Sequence, residues 1–114
     1  MTFLNQNIKK NKFGLLPRDI DYLISGFQTF NEIEKAMIFG SRAMGNYKNA
    51  SDIDIAIFGK NIGLQTVSRL YNLLNEELSI PYFIDVVHFE TIKNKELKEH
   101  ILNKGKIIYQ KKDN

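Results

Sequence analysis

A short gap constrains this chain more than anything else in its sequence. Two apolar runs, KAMIFG from Lys35 to Gly40 and DIDIAIF from Asp52 to Phe58, read as buried β-strands, the second rich in isoleucine. Only eleven residues, Ser41 to Ser51, lie between them. A parallel crossover needs about a dozen residues or more, usually including a full helix. This segment is too short and too polar for that. The two strands are therefore expected to run antiparallel, with the end of the first and the start of the second at one edge of a sheet.

The flanking sequence completes a topology. Pro17 opens LPRDIDYLISGFQTF, where Ile20, Leu23, Ile24 and Phe27 recur at helical spacing, with Gly26 as a weak point inside the helix. Leu64, Val67, Leu70, Tyr71, Leu74 and Leu78 form one apolar stripe on a helix over Gly63 to Ser79. After Ile80 and Pro81 comes YFIDVVHFE, a third strand. Strand, long helix, strand is a right-handed βαβ unit, so the third strand should be parallel to the second. A last helix, about Lys95 to Asn103, precedes Gly105 and a short IIY strand or extended tail. The expected class is α/β, with a small mixed sheet of one antiparallel pair plus a parallel βαβ unit, flanked by helices.

Composition bounds what such a fold can do. No repeat, low-complexity block or proline- and glycine-rich linker divides the 114 residues, so a single domain over 1–114 is expected, with about twelve N-terminal and four C-terminal residues flexible. Hydrophobic content of 43% and charged content of 25% are those of a globular chain. The absence of cysteine excludes a disulfide framework, a thiolate metal site and a cysteine nucleophile, and fits a reducing compartment. No run resembles a signal peptide or a membrane span, so a cytoplasmic location without a membrane partner is expected. The net charge of +3 comes partly from Lys9, Lys10, Lys12, Lys111 and Lys112, read as solvated ends. It permits contact with a nucleotide or nucleic acid, but direct nucleic-acid binding is not expected.

Strand directions give the middle of the chain its chemical meaning. Gly40 and Ser41 end the first strand where Asp52 and Asp54 begin the second, and parallel pairing brings Asp85 to the same edge. Alternation sends Asp52 and Asp54 to one face and Ile53, Ile55 and Ile57 to the other. Two carboxylates so close repel, and a divalent cation between them relieves the repulsion. Hard oxygen donors without cysteine or nearby histidine suit Mg²⁺ or Mn²⁺ better than Zn²⁺. Gly40 and Ser41, after a buried strand and at the start of a short helix, can present backbone N–H groups and a hydroxyl to phosphate. Each feature alone has an ordinary reading, as a helix cap or a solvent-facing strand residue. Together they make the two-metal arrangement of phosphoryl and nucleotidyl transfer. His88 and His100 have no metal-ligand company and are expected to be structural. Of the five tyrosines, Tyr47, in the loop over the phosphate site, is the one with a possible part in it.

Gly40-Ser41, ten residues, then Asp52-x-Asp54 resembles the G-S-x10-D-x-D signature of the minimal nucleotidyltransferases in the DNA polymerase beta-like superfamily. The resemblance runs from about Glu34 to Tyr109 and takes in FIDVVHF and the tail KELKEHILNKGKIIYQ. It implies a minimal nucleotidyltransferase fold in which Gly40 and Ser41, with Arg42 and Lys48, grip the triphosphate of ATP. Asp52 and Asp54 would bind two Mg²⁺ ions, with Mn²⁺ as an alternative, and Asp85 would complete one metal site and help activate the acceptor hydroxyl. Many members read G-S-R-A-R-G, whereas Met44 stands here in place of the second arginine, which weakens the expected stabilisation of the leaving group. Chains of this size resemble the antitoxin half of HEPN/MNT toxin–antitoxin pairs, implying transfer of AMP to a tyrosine of a helical HEPN partner. A catalytically weak antitoxin acting by binding alone, and an aminoglycoside-type small-molecule nucleotidyltransferase, are the alternatives. A homodimer and a hetero-oligomer fit equally well.

Overall fold

A computed structural model describes residues 9–112. Strand β1 (Lys35–Phe39) pairs antiparallel with β2 (Ile53–Phe58), with Phe39 opposite Asp54. Strand β3 (Ile84–His88) lies parallel to β2, with Ile53 opposite Ile84 and Asp54 opposite Asp85. The C-terminal run forms β4 (Lys106–Gln110), antiparallel to the other side of β1, with an irregularity between Ala36 and Met37. The sheet order is β3-β2-β1-β4. The short gap thus turns the chain back on itself, as its length requires, and the tail is a strand.

Helix α1 (Pro17–Gln28) begins with proline in its first turn, and Asp19 Oδ2 accepts the Leu16 N–H at 3.0 Å, satisfying a donor that the helix leaves free. Gly26 now has a reason: a Cβ there would lie 2.7 Å from Leu74 Cδ2, so glycine lets α1 close on the helical segment across from it. Helix α2 is the short turn Gly40–Met44. Helix α3 (Leu64–Asn72) widens into a π-helical turn at Leu73–Glu77 instead of continuing regularly to Ser79. The widening coincides with Asn75, whose amide accepts the Ile84 N–H and donates to the Ile84 carbonyl, both at 2.8 Å, pinning the start of β3. A 3-10 turn, Phe89–Thr91, follows β3, and α4 (Lys95–Lys104) is capped by Asn94, whose side chain accepts the Leu97 N–H.

Both faces of the central strands are covered. Ile38, Ile53, Ile55, Ile57 and Ile84 pack with Leu23 and Phe27 of α1 and Leu70 and Leu74. On the opposite face Met37, Phe39, Ala56 and Phe58 pack under Ile101 of α4. Two-sided burial explains why β1 and β2 read as continuous apolar runs. By alternation Asp54 shares the second face with Ala56 and Phe58, at the end of β2 that meets the turn after β1. Residues 1–8 and 113–114, part of both ends expected to be flexible, lie outside the described residues. Within the N-terminal end, Asn11 Oδ1 accepts the N–H groups of Phe13 at 2.8 Å and Leu15 at 3.1 Å. Among the described residues no helix is long and apolar enough to cross a membrane.

Candidate active site

Two registers assemble the site. Phe39 faces Asp54 across the antiparallel pair and Asp54 faces Asp85 across the parallel one, so the end of β1 and the starts of β2 and β3 share an edge. Gly40 follows Phe39 with φ +71°, in the left-handed region that L side chains rarely adopt. A Cβ on Gly40 would run into Asp54 Oδ2 and sit 3.3 Å from Asp54 Cγ. Glycine here both turns the chain and leaves room for the carboxylate. Ser41, half-buried, follows in α2, which Gly45 closes at φ +86° by donating its N–H to the Ser41 carbonyl at 2.9 Å. Asp52, one residue before β2, and Asp85 are exposed, and Asp54 between them is half-buried.

Asp54 carries the electrostatic signature of the site. Its carboxyl is pushed above the usual carboxylate range, first by burial and then by the negative charges of Asp85 and Asp52, with His100 acting the other way. His100 belongs to this site, although its sequence context suggested a structural role. Its Nε2 accepts the Gly40 N–H at 3.3 Å and its ring stands edge-on to Phe39, with centroids 6.1 Å apart. Finding it requires knowing which way α4 faces, and the sequence signal is only that His100 precedes Ile101, the residue α4 buries against the sheet.

Arg42 does not sit where a phosphate ligand would. It is 1% exposed, and its guanidinium donates to the carbonyls of Ser51, Asn49, Phe13 and Gly14. Arg42 was expected to grip the nucleotide, and here its donors are engaged inside the protein. Tyr47 is a wall rather than a cover, its ring packed on Arg42 and filling the space that a side chain at Gly14 would need. Lys48 is exposed in the same loop, its backbone N–H held by Ser51 Oγ at 2.8 Å, and Met44 is 48% exposed. His88, at the far end of β3, is structural as expected, 3.1 Å from both the Gly59 carbonyl and Glu90 Oε1.

The site is an open edge. Among the described residues no three Asp, Glu or His side chains are arranged to hold a metal ion by themselves. A cleft of about 680 Å³ lies at the opposite edge of the sheet, between Lys35, Phe58, Gly59, Glu90 and Gln110, away from the three aspartates.

Comparison with known proteins bears on the family and the fold. The family described as polymerase beta, nucleotidyltransferase matches residues 21–114. No curated protein matches the sequence. Among solved structures, a toxin-antitoxin with AMP-PNP superposes with a TM-score of 0.67 at 20% identity, covering 81% of this chain and 73% of that one. The toxin-antitoxin MntA-HpeT carrying two Asp-to-Glu substitutions gives 0.65 at 18% identity, covering 81% and 73%. A tri-AMPylated Shewanella oneidensis HEPN toxin in complex with MNT antitoxin gives 0.63 at 18% identity, covering 82% and 71%. At these identities the likeness is one of fold. The family match spans most of the chain, including every strand and the whole carboxylate edge, and the chain belongs to the polymerase beta nucleotidyltransferase family.

Proposed function

We propose that the protein transfers AMP from ATP, with Mg²⁺, to a tyrosine hydroxyl of a helical HEPN-type partner. The observation that carries the reading is Asp54, half-buried, in register with Asp85 and pressed against Gly40, with a proton affinity raised by burial and by two neighbouring carboxylates. Such a group is poised for a cation rather than for water. The donors are all hard oxygens, and Mg²⁺ favours one or two carboxylates completed by substrate phosphates over an all-protein cage, which suits an open edge. Bound there, Mg²⁺ supplies electrophilic polarisation and neutralises phosphate charge.

The residues then have separate tasks. Asp52 and Asp54 hold the cation. The backbone N–H groups of α2 that follow Gly40 and the Ser41 hydroxyl hold phosphate oxygens. Asp85 accepts the proton of the acceptor hydroxyl as its oxygen bonds to the α-phosphorus, the bond from that phosphorus to the bridging oxygen breaks, and pyrophosphate departs. The partner is supported by fold neighbours described as a toxin-antitoxin with AMP-PNP and as a tri-AMPylated HEPN toxin with its MNT antitoxin.

A second reading, neutralisation of the partner by binding alone, draws on the phosphate side of the site. With Met44 exposed and Arg42 enclosed, Lys48 is the side-chain cation that this loop can offer to a leaving pyrophosphate. ATP labelled at the α-phosphate and ATP labelled at the γ-phosphate, each with Mg²⁺ and a native lysate, separate the two. Label passing to protein from the α position alone supports AMP transfer. No transfer from either position favours the binding reading.

A further inference from the structure

Arg42 is a buried cation whose neighbours are carbonyls and aromatic rings. Among the described residues Arg18 lies 3.8 Å from Asp19 and His88 3.1 Å from Glu90, and Arg42 has no carboxylate partner. A charge removed from water is costly unless every donor is satisfied. Here Nε and Nη2 both donate to the Ser51 carbonyl, at 3.0 and 2.8 Å, and Nη2 also reaches the Asn49 carbonyl at 3.2 Å. Nη1 donates to the carbonyls of Phe13 at 2.9 Å and Gly14 at 3.4 Å. The rings of Tyr82 and Tyr47 cover the guanidinium, their centroids 4.3 and 5.2 Å from Cζ. One side chain, rooted in the helix that follows Gly40, therefore fastens three separate segments. The carbonyl it grips with its fork belongs to the residue immediately before Asp52.

We propose that Arg42 is a positioning residue: by clamping the Ser51 carbonyl and the 45–51 loop onto α2, it sets Asp52 beside Asp54 in the geometry that takes up a divalent cation. This rests on the carboxylate edge being the cation site. Lysine keeps the charge but has no planar fork, so it cannot reproduce the paired bonds to one carbonyl. Loss of a group that orients a metal ligand typically weakens metal affinity about 10- to 100-fold.

The test compares the full chain with its Arg42→Lys variant in two readouts, both taken well below the melting temperature. Amide hydrogen exchange over residues 46–53, without metal, reads the clamp; titration with Mn²⁺ alone reads the site. The expected result for Arg42→Lys is a cooperative melt, exchange in the loop faster by about tenfold or more with the Gly59 end unchanged, and Mn²⁺ affinity weaker by about tenfold. Faster loop exchange with Mn²⁺ affinity within twofold of wild type would reduce Arg42 to structural glue and overturn the proposal. Unchanged loop exchange would overturn the clamp itself. A wild-type chain that takes up no Mn²⁺ would overturn the cation-site reading and the positioning role with it, while the exchange data still report whether the clamp exists. Should Arg42→Lys fail to fold, Tyr82→Leu, which removes a covering ring and leaves the arginine, is expected to move both readouts in the same direction by less, and no movement in either would overturn the proposal.

Discussion

Gly40 and Asp54 leave no room between them for a methyl group: a Cβ at residue 40 would collide with Asp54 Oδ2. Gly40 also holds φ +71°, so Gly40→Ala meets two penalties at once, a strained backbone and a displaced carboxylate. The expected loss of stability is about 1–3 kcal/mol, on the scale of a non-glycine residue forced into a sparsely populated conformation. Urea denaturation measures it. Divalent-cation binding should weaken in the same variant, because the collision falls on the carboxylate proposed to hold the ion.

The carboxylate edge should be a source of instability when nothing neutralises it. Asp54 has a raised proton affinity in the folded chain, so its ionisation opposes folding above its ordinary pKa, and the metal-free protein gains stability as pH falls through the raised value. Asp54→Asn is expected to stabilise the metal-free protein at neutral pH by about 1 kcal/mol or less, while abolishing the proposed AMP transfer. Thermal melting in EDTA, for both proteins across pH, tests the sign.

Convergence of Asp52, Asp54 and Asp85 was legible in the sequence because it depends only on strand directions, and an eleven-residue gap and a βαβ pattern suffice to set those. The roles of Arg42 and His100 were not legible. Arginine beside a phosphate turn suggests a phosphate ligand, and only the arrival of Tyr82 and the Phe13 and Gly14 carbonyls from distant parts of the chain shows it enclosed. His100 reaches Gly40 across 60 residues, a contact fixed by the rotation of α4 on the sheet rather than by any local pattern. Gly26 looked like a flaw in α1 for the same reason, since the Leu74 side chain that needs the space lies far along the chain.

His100 offers its own prediction. It is the neighbour that favours the charged form of Asp54, against burial and the two other aspartates. His100→Leu removes that influence, raises the proton affinity of Asp54 further, and should shift the onset of Mn²⁺ binding to higher pH. His100 accepts the Gly40 N–H only while Nε2 is unprotonated and attracts the Asp54 carboxylate only when the ring is charged, so His100→Gln, an acceptor without charge, keeps the first state and removes the second. Titrations with Mn²⁺ at several pH values make the comparison.

Acid sensitivity should also appear far from the site. Glu32 is held below the usual carboxylate range, chiefly by the hydroxyl of Thr66 on α3, then by a backbone hydrogen bond and the charge of Arg69. Its stabilising contribution is fully present above its ordinary pKa and is lost as pH falls through the lowered one. Thr66→Val should flatten the acid limb of the stability curve below about pH 4.5, the ordinary range of a glutamate, and leave stability at neutral pH lower than in wild type.

The central claim is that the edge formed by Gly40, Asp52, Asp54 and Asp85 binds a divalent cation together with a nucleoside triphosphate. Its most direct test is titration of the full chain with Mn²⁺ and a non-hydrolysable ATP analogue, followed by electron paramagnetic resonance, for wild type and Asp54→Asn. Saturable uptake of Mn²⁺ that the analogue strengthens, and that Asp54→Asn loses by about tenfold or more, is the predicted result. Equal uptake by the two proteins, or no uptake by wild type with the analogue present, would contradict it.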